Sequence, residues 1–161
     1  MANYQQVRTF KQIQVFFLAL LMGQVMVGLI LHFVLIEYVG HQEMDKLLKF
    51  GIPLLVLGGS LAARLVDRNM GRTAGEQSGL VEKLDHFRNR KMVVWAIQDG
   101  CNLMCLIFAF LYQYDIFMWF FVFGVISFLA LKPSLDVLKE EYKLTPSEQQ
   151  VVENESFTFL R

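Results

Sequence analysis

Charged residues, cysteine, proline and histidine are all scarce in this chain. Of its 161 residues 19% are charged, and it has two cysteines, three prolines and three histidines. Three prolines and eleven glycines are too few for a low-complexity segment. Basic and acidic residues balance at 15 each, so net charge indicates no nucleic-acid partner.

Apolar residues are abundant, at 55% of the chain. They lie in continuous blocks rather than in alternation, which is typical of membrane-spanning helices. The first block follows Arg8 and Lys11, but no small-residue cleavage pattern comes after it, so we expect a retained helix and not a signal peptide. The predicted fold is an all-α integral membrane protein, a four-transmembrane-helix bundle.

The predicted domains are a transmembrane region over residues 1–132 and a C-terminal tail over 133–161. The expected spans are about 15–36, 50–66, 92–112 and 116–131, with a long connection over 67–91. Within that connection, apolar residues at helical spacing from Leu80 to Phe87 predict a helix that lies on the membrane or continues into the third span. The Thr-Pro-Ser-Glu sequence at 145–148 predicts a short helix from Pro146.

Two of the spans have distinctive faces. The second has small residues four apart, Gly58 with Ala62 and Gly59 with Ala63, and this spacing lets helices approach closely in lipid. The fourth is rich in phenylalanine and has few polar groups, so we expect an aromatic face turned to lipid.

Basic residues are distributed unequally between the two sides of the predicted membrane. One side has only Lys46 and Lys49, whereas the other has twelve lysines and arginines. Because basic loops stay in the cytoplasm, both termini are expected to be cytoplasmic. We expect a multi-pass protein of a bacterial inner (cytoplasmic) membrane.

Polar residues in the middle of the third span are the candidate site. Gln98, Asp99 and Asn102 lie at a depth where polar groups are costly, and Gln24 in the first span lies at a similar depth to Asn102. Two amides at one level on different helices favour an interhelical hydrogen bond. The alternative is that they line a hydrated site.

Arg64, about one turn inside the membrane on the second span, completes the candidate intramembrane site. An ion pair between Arg64 and Asp99 would fix how the second and third helices pack. In the alternative, Asp99 titrates and carries protons or coordinates a cation.

Residues that would indicate an enzyme or a cofactor are missing. The three histidines are too scattered for a metal cluster, and His32 has no intramembrane partner for haem. Cys101 and Cys105 lie four apart on one helix face, a spacing that does not favour a disulfide and indicates packing residues. No nucleotide-binding, serine-hydrolase or zinc-protease motif is present. We therefore predict no catalytic residues, no metal and no cofactor.

In helix number the chain resembles three known classes of four-helix membrane protein. Small multidrug exporters have a first-helix carboxylate where this chain has Gln24, and rotor proteolipids have one in the last helix, where this chain has none. Four-helix thiol-oxidising enzymes place paired cysteines near the outer surface, whereas Cys101 and Cys105 lie mid-span. The resemblance therefore implies the number of spans, but no functional residue of these classes carries over to this chain.

The expected function is that of a non-enzymatic accessory subunit or scaffold of a membrane complex. Its expected partners are the lipid bilayer and other membrane chains, as a homo- or hetero-oligomer. The alternative is a small oligomeric transporter or channel that uses the polar residues around Asp99.

The charge bias makes a direct prediction about topology. A reporter enzyme fused after Arg161 and one inserted near Gly75 should both be active only in the cytoplasm. A fusion within the connection after Glu37 is the control and should report the opposite side. An external signal from either of the first two fusions would contradict this orientation.

Overall fold

The structure is a computed structural model that describes residues 3–37, 46–112 and 115–153. These residues form helices and short connections, with no strand among them. The helices are α1 (Asn3–Glu37), α2 (Lys46–Gly71), α3 (Leu80–Tyr112), α4 (Asp115–Ala130), α5 (Leu135–Glu141) and α6 (Pro146–Glu153), with a 3₁₀ turn at Ala74–Glu76.

Three of the described helices, α1, α2 and α3, are long and apolar enough to cross a membrane. Helix α4 has 16 residues, or about 24 Å, which is less than a typical hydrocarbon core. It is followed by α5 after a short break and a bend of 53°, and the pair counts as a fourth candidate span if the two are taken together. The chain is thus compatible with a multi-pass membrane protein.

Helix α3 is the central element, because it packs against α1, α2 and α4. It begins at Leu80, so the helix predicted in the long connection exists and continues directly into the third span. Gln98 and Asn102 point into the bundle, both 0% exposed. The described helices thus pack around the helix that contains the third apolar block.

Glycines set how closely the helices approach α3 and each other. A Cβ atom on Gly59 of α2 would overlap the Sγ of Cys101, and one on Gly124 of α4 would overlap the amide of Asn102. A Cβ on Gly28 of α1 would overlap the ring of Phe121. Helices with glycine at a crossing can come closer than side chains would otherwise permit.

The aromatic residues of α4 do not share one lipid-facing side. Phe117, Phe121 and Phe128 are buried against the other helices, whereas Trp119 is 73% exposed and Phe123 is also exposed. The expectation of an aromatic face turned to lipid is therefore wrong for the three buried rings. Because Gly28 has no side chain, α1 lies directly against the Phe121 ring.

Two apolar clusters form the core, one on each side of the polar residues of α3. One joins Phe10 and Phe17 of α1 to Trp95 of α3 and Phe128 of α4. The other joins Val56 of α2 to Cys105 of α3 and to Phe117 and Phe121 of α4.

The described part of the C-terminal tail belongs to the first of these clusters. Leu138, Tyr142 and Val152 pack there with Phe10 and Phe87. The tail is therefore held against the end of the bundle by apolar burial, which is the main stabilising term in folding.

Local signals explain where the tail helices begin and end. Helix α4 stops before Pro133, and the indole N–H of Trp95 donates to the Leu131 carbonyl at 3.1 Å. Helix α5 ends where Lys143 adopts a left-handed conformation (φ 46°). Helix α6 has the predicted capping box: the Thr145 N–H donates to Glu148 at 2.8 Å, and the Glu148 N–H donates to the Thr145 hydroxyl at 3.4 Å.

Gly58 and Gly59 of α2 provide a matched test of the close approach between α2 and α3. Gly59→Leu should destabilise the protein by about 1–3 kcal/mol, because the new side chain must displace α3. Gly58→Leu is the control, since a side chain there meets open space and leucine favours helix over glycine. Thermal unfolding in detergent measures both variants. Equal unfolding temperatures would contradict the close α2–α3 contact.

Candidate functional site

Four of the five predicted site residues meet in one layer across the middle of the bundle. Gln24 comes from α1, and Gln98, Asp99 and Asn102 come from α3. The layer lies between the two apolar clusters, where Gly124 of α4 leaves room for the Asn102 amide. We call these four residues the polar layer.

Hydrogen bonds link the polar layer into a continuous chain. Gln98 Nε2 donates to Asn102 Oδ1 at 3.1 Å and to the Gly124 carbonyl at 3.3 Å. Asn102 Nδ2 donates to Gln24 Oε1 at 2.9 Å, and Gln24 Nε2 donates to Asp99 Oδ1 at 2.6 Å. The chain thus connects α4, α3 and α1. The predicted hydrogen bond between Gln24 and Asn102 is confirmed.

Arg64 does not belong to the polar layer. It lies on the exposed side of α2, and no ion pair joins it to Asp99 in the part of the chain that the structure describes. The predicted Arg64–Asp99 pair is therefore wrong. The reason is geometric: α2 contacts α3 at Cys101, two residues and thus about 200° around the helix from Asp99. Asp99 instead faces α1, where Gln24 binds it.

The polar layer consists mainly of amides that bind one another, although the buried Gln98 Oε1 has no hydrogen-bond partner among the described residues. Gln24, Gln98 and Asn102 are at most 4% exposed. Such a network holds helices in register, because breaking it would leave amide groups unpaired in an apolar interior. Asp99 differs, since it is half-buried at the edge of the layer and receives one hydrogen bond. Asp99 therefore has capacity for a further ligand or proton, and the buried Gln98 Oε1 also accepts no hydrogen bond among the described residues.

The other residues considered for chemistry lie apart from this layer. Cys101 packs against Gly59, and Cys105 is buried in the second apolar cluster. His32 lies at an apolar groove of about 600 Å³ between α1 and α4, which Trp119 and Phe121 also line. Among the described residues, no group of three or more His, Cys, Asp or Glu side chains is placed to hold a metal ion.

A second polar cluster, which the sequence reasoning missed, lies where α2, α3 and α5 meet. Arg90 is 2% exposed and binds Asp67 of α2 at 2.8 Å through its Nε. Its guanidinium also donates to Glu141 of α5. Lys91 binds the same Asp67 carboxylate at 3.1 Å. The two cations and two carboxylates compensate one another, as buried charges require.

Further polar contacts extend this cluster to α6. His86 Nδ1 lies 2.6 Å from the Tyr142 hydroxyl. Burial raises the pKa of Tyr142 to about 12, although Arg90 acts in the opposite direction. The phenol therefore stays protonated at neutral pH. Lys83, also buried, binds Glu148 at 3.0 Å.

The spacing of the basic residues on α3 contained the signal for this cluster. Arg90 and Lys91 lie seven and eight residues after Lys83, on the same side of the helix as Leu84 and Phe87. Basic residues within an apolar helix face indicate acidic partners on another element. The sequence does not say which carboxylates approach, because Asp67, Glu141 and Glu148 lie on three different helices.

Glu148 gives the docked tail a defined pH dependence. Burial acts to raise the pKa of Glu148, but the Thr145 N–H and the Lys83 ammonium outweigh it and hold the pKa below its ordinary value. The stabilisation is therefore complete above the unfolded-state pKa of about 4.3 and is lost as pH falls through the folded-state pKa.

The measurement is the unfolding temperature in detergent between neutral and acidic pH. Glu148→Gln should unfold at a lower temperature than wild type at neutral pH, and the difference should shrink below about pH 4. Glu140→Gln, at an exposed position on α5, is the control and should follow wild type. A difference that stays constant across the pH range would contradict the Glu148 contribution.

Comparisons of the chain with protein-family models, with curated proteins and with solved structures gave no match. Its function is therefore inferred from its own residues and contacts.

Proposed function

We propose that this chain is a four-span membrane protein with both termini in the cytoplasm, acting as a non-enzymatic accessory subunit or scaffold of a membrane complex. The burial and mutual hydrogen bonding of the amides in the polar layer carry this proposal. Its amides bind one another and the Gly124 carbonyl, and three of its four side chains are almost fully buried. Such a layer joins helices, whereas a transport path needs polar groups that remain open to a substrate.

The exposed side of α2 supports an assembly role. The two small-residue pairs of this helix separate: Gly59 and Ala63 face the bundle, whereas Gly58 and Ala62 are exposed. Leu54, Leu61 and Leu65 are exposed beside them. A helix surface that combines small residues with leucines suits close contact with another transmembrane helix. The bacterial inner membrane remains the proposed location because of the basic bias on one side.

The alternative is a small oligomeric transporter or channel, and the position of Asp99 favours it. This carboxylate is half-buried at the edge of the polar layer, with Gln24 as its hydrogen-bond donor. A proton or cation path through the protein would have to use this group. Flux into reconstituted vesicles separates the two functions. The scaffold predicts no Asp99-dependent flux, and a flux lost in Asp99→Asn with the fold intact would establish the transporter.

The scaffold role is tested by the composition of particles extracted from membranes in polymer nanodiscs without detergent. Native mass spectrometry should show the wild-type chain together with at least one further transmembrane chain. Ala62→Phe should release it as a single chain, because a ring at this exposed position prevents close helix contact.

The matched control is Ala130→Phe, the same change at an exposed alanine at the end of α4. It should leave the particle mass unchanged. A wild-type particle that contains one copy of this chain and no other protein would overturn the proposal. Equal loss in both variants would show that the α2 surface is not the site of assembly.

A further inference from the structure

Two opposite charges in the apolar part of the bundle lack an ion-pair partner within the described residues. Asp99 is half-buried on α3, and its one described hydrogen bond comes from the neutral Gln24 amide. Arg64 is exposed on α2, and neither residue takes part in any described ion pair. By contrast, the buried cations near Asp67 are all paired. Unpaired charges inside a membrane are costly and favour a partner of opposite charge.

The two charges lie at similar depths along the bundle. Helices α2 and α3 run antiparallel, with contacts between Gly59 and Cys101 and between Asp67 and Lys91. Counting from either contact at about 1.5 Å per residue places Arg64 about 5–8 Å nearer the Asp67 end than Asp99. The long arginine side chain can cover that distance.

The two charges also lie on different surfaces. Arg64 is on the outer side of α2, beside exposed Leu61 and Leu65. Asp99 is on the side of α3 that meets α1, and exposed Ala96 and Gly100 beside it leave room for another helix. Within one chain the two groups do not pair in the described structure. Between two copies in the same membrane orientation, each surface offers the charge that the other needs.

We infer that a second copy of this chain docks its α2 surface against the α1–α3 surface, so that Arg64 of one copy pairs with Asp99 of the next. This inference rests on the proposed assembly role and names the partner. The two surfaces differ, so the contact is head-to-tail and repeats around a ring if its rotation closes. Gln24 serves as a positioning residue, because its amide orients the carboxylate that receives the arginine.

Mixing of two charge-neutral variants tests the contact, since only an intermolecular pair can be restored by mixing. Arg64→Gln alone and Asp99→Asn alone should each weaken self-association by about tenfold or more, measured by energy transfer between labelled copies in vesicles. In a mixture of the two variants, the contact that places α2 of the Asp99→Asn copy against α3 of the Arg64→Gln copy keeps its Arg64–Asp99 pair, whereas the reverse contact has no charged pair. The mixture should therefore regain association between unlike copies.

Arg68→Gln is the matched control, the same change at an exposed arginine one turn further along α2, and it should associate as wild type does. Thermal unfolding of each variant shows that the fold is retained. If wild type assembles but neither charge variant weakens assembly, or if mixing restores nothing, the Arg64–Asp99 contact is wrong while the assembly role stands. A wild-type chain that stays single at every lipid-to-protein ratio would overturn both.

Discussion

The polar layer is the constraint on which the rest of this bundle depends. Amides buried among apolar helices need hydrogen-bond partners within the protein, because leaving them unpaired is costly. Gln98 and Asn102 of α3 bind Gln24 of α1 and the backbone of Gly124 of α4, and among the described residues the Gln98 Oε1 is left without a partner. One set of hydrogen bonds thereby fixes the rotation of α3 and the depth at which α1 and α4 pack against it.

The same constraint explains why glycine stands at positions 124 and 59. The Asn102 amide can lie beside α4 because residue 124 has no side chain, and α2 can reach Cys101 because residue 59 has none. Apolar attraction alone would leave such helices free to slide, since it is not directional. Polar bonds at one level and close backbone contact at the same level remove that freedom.

The cluster around Asp67, at one end of the bundle, follows the same physical rule that buried polar groups need partners. Arg90 and Lys91 are nearly fully buried, so their carboxylate partners must come to them from α2 and α5. Apolar contacts of Leu138 and Val152 with Phe10 and Phe87 exclude water around these pairs. The described tail is therefore part of the bundle's core, and the charges left unpaired near the polar layer contrast with this fully compensated cluster.

The sequence by itself determined the helical class, the positions of the apolar blocks and the presence of a helix from Leu80. It also determined the capping box at Thr145 and the amides of the polar layer. These features are local or depend on the depth of a residue along a helix, and both can be counted from the sequence. Only the tertiary structure decided that Asp99 meets Gln24 and not Arg64, that three rings of α4 are buried, and that Arg90 and Lys83 bind carboxylates of the tail. The depth of Asp99 along its helix permitted either Arg64 or Gln24 as its partner. The choice depended on the rotation of each helix about its own axis, and that rotation is set by contacts between residues far apart in the chain.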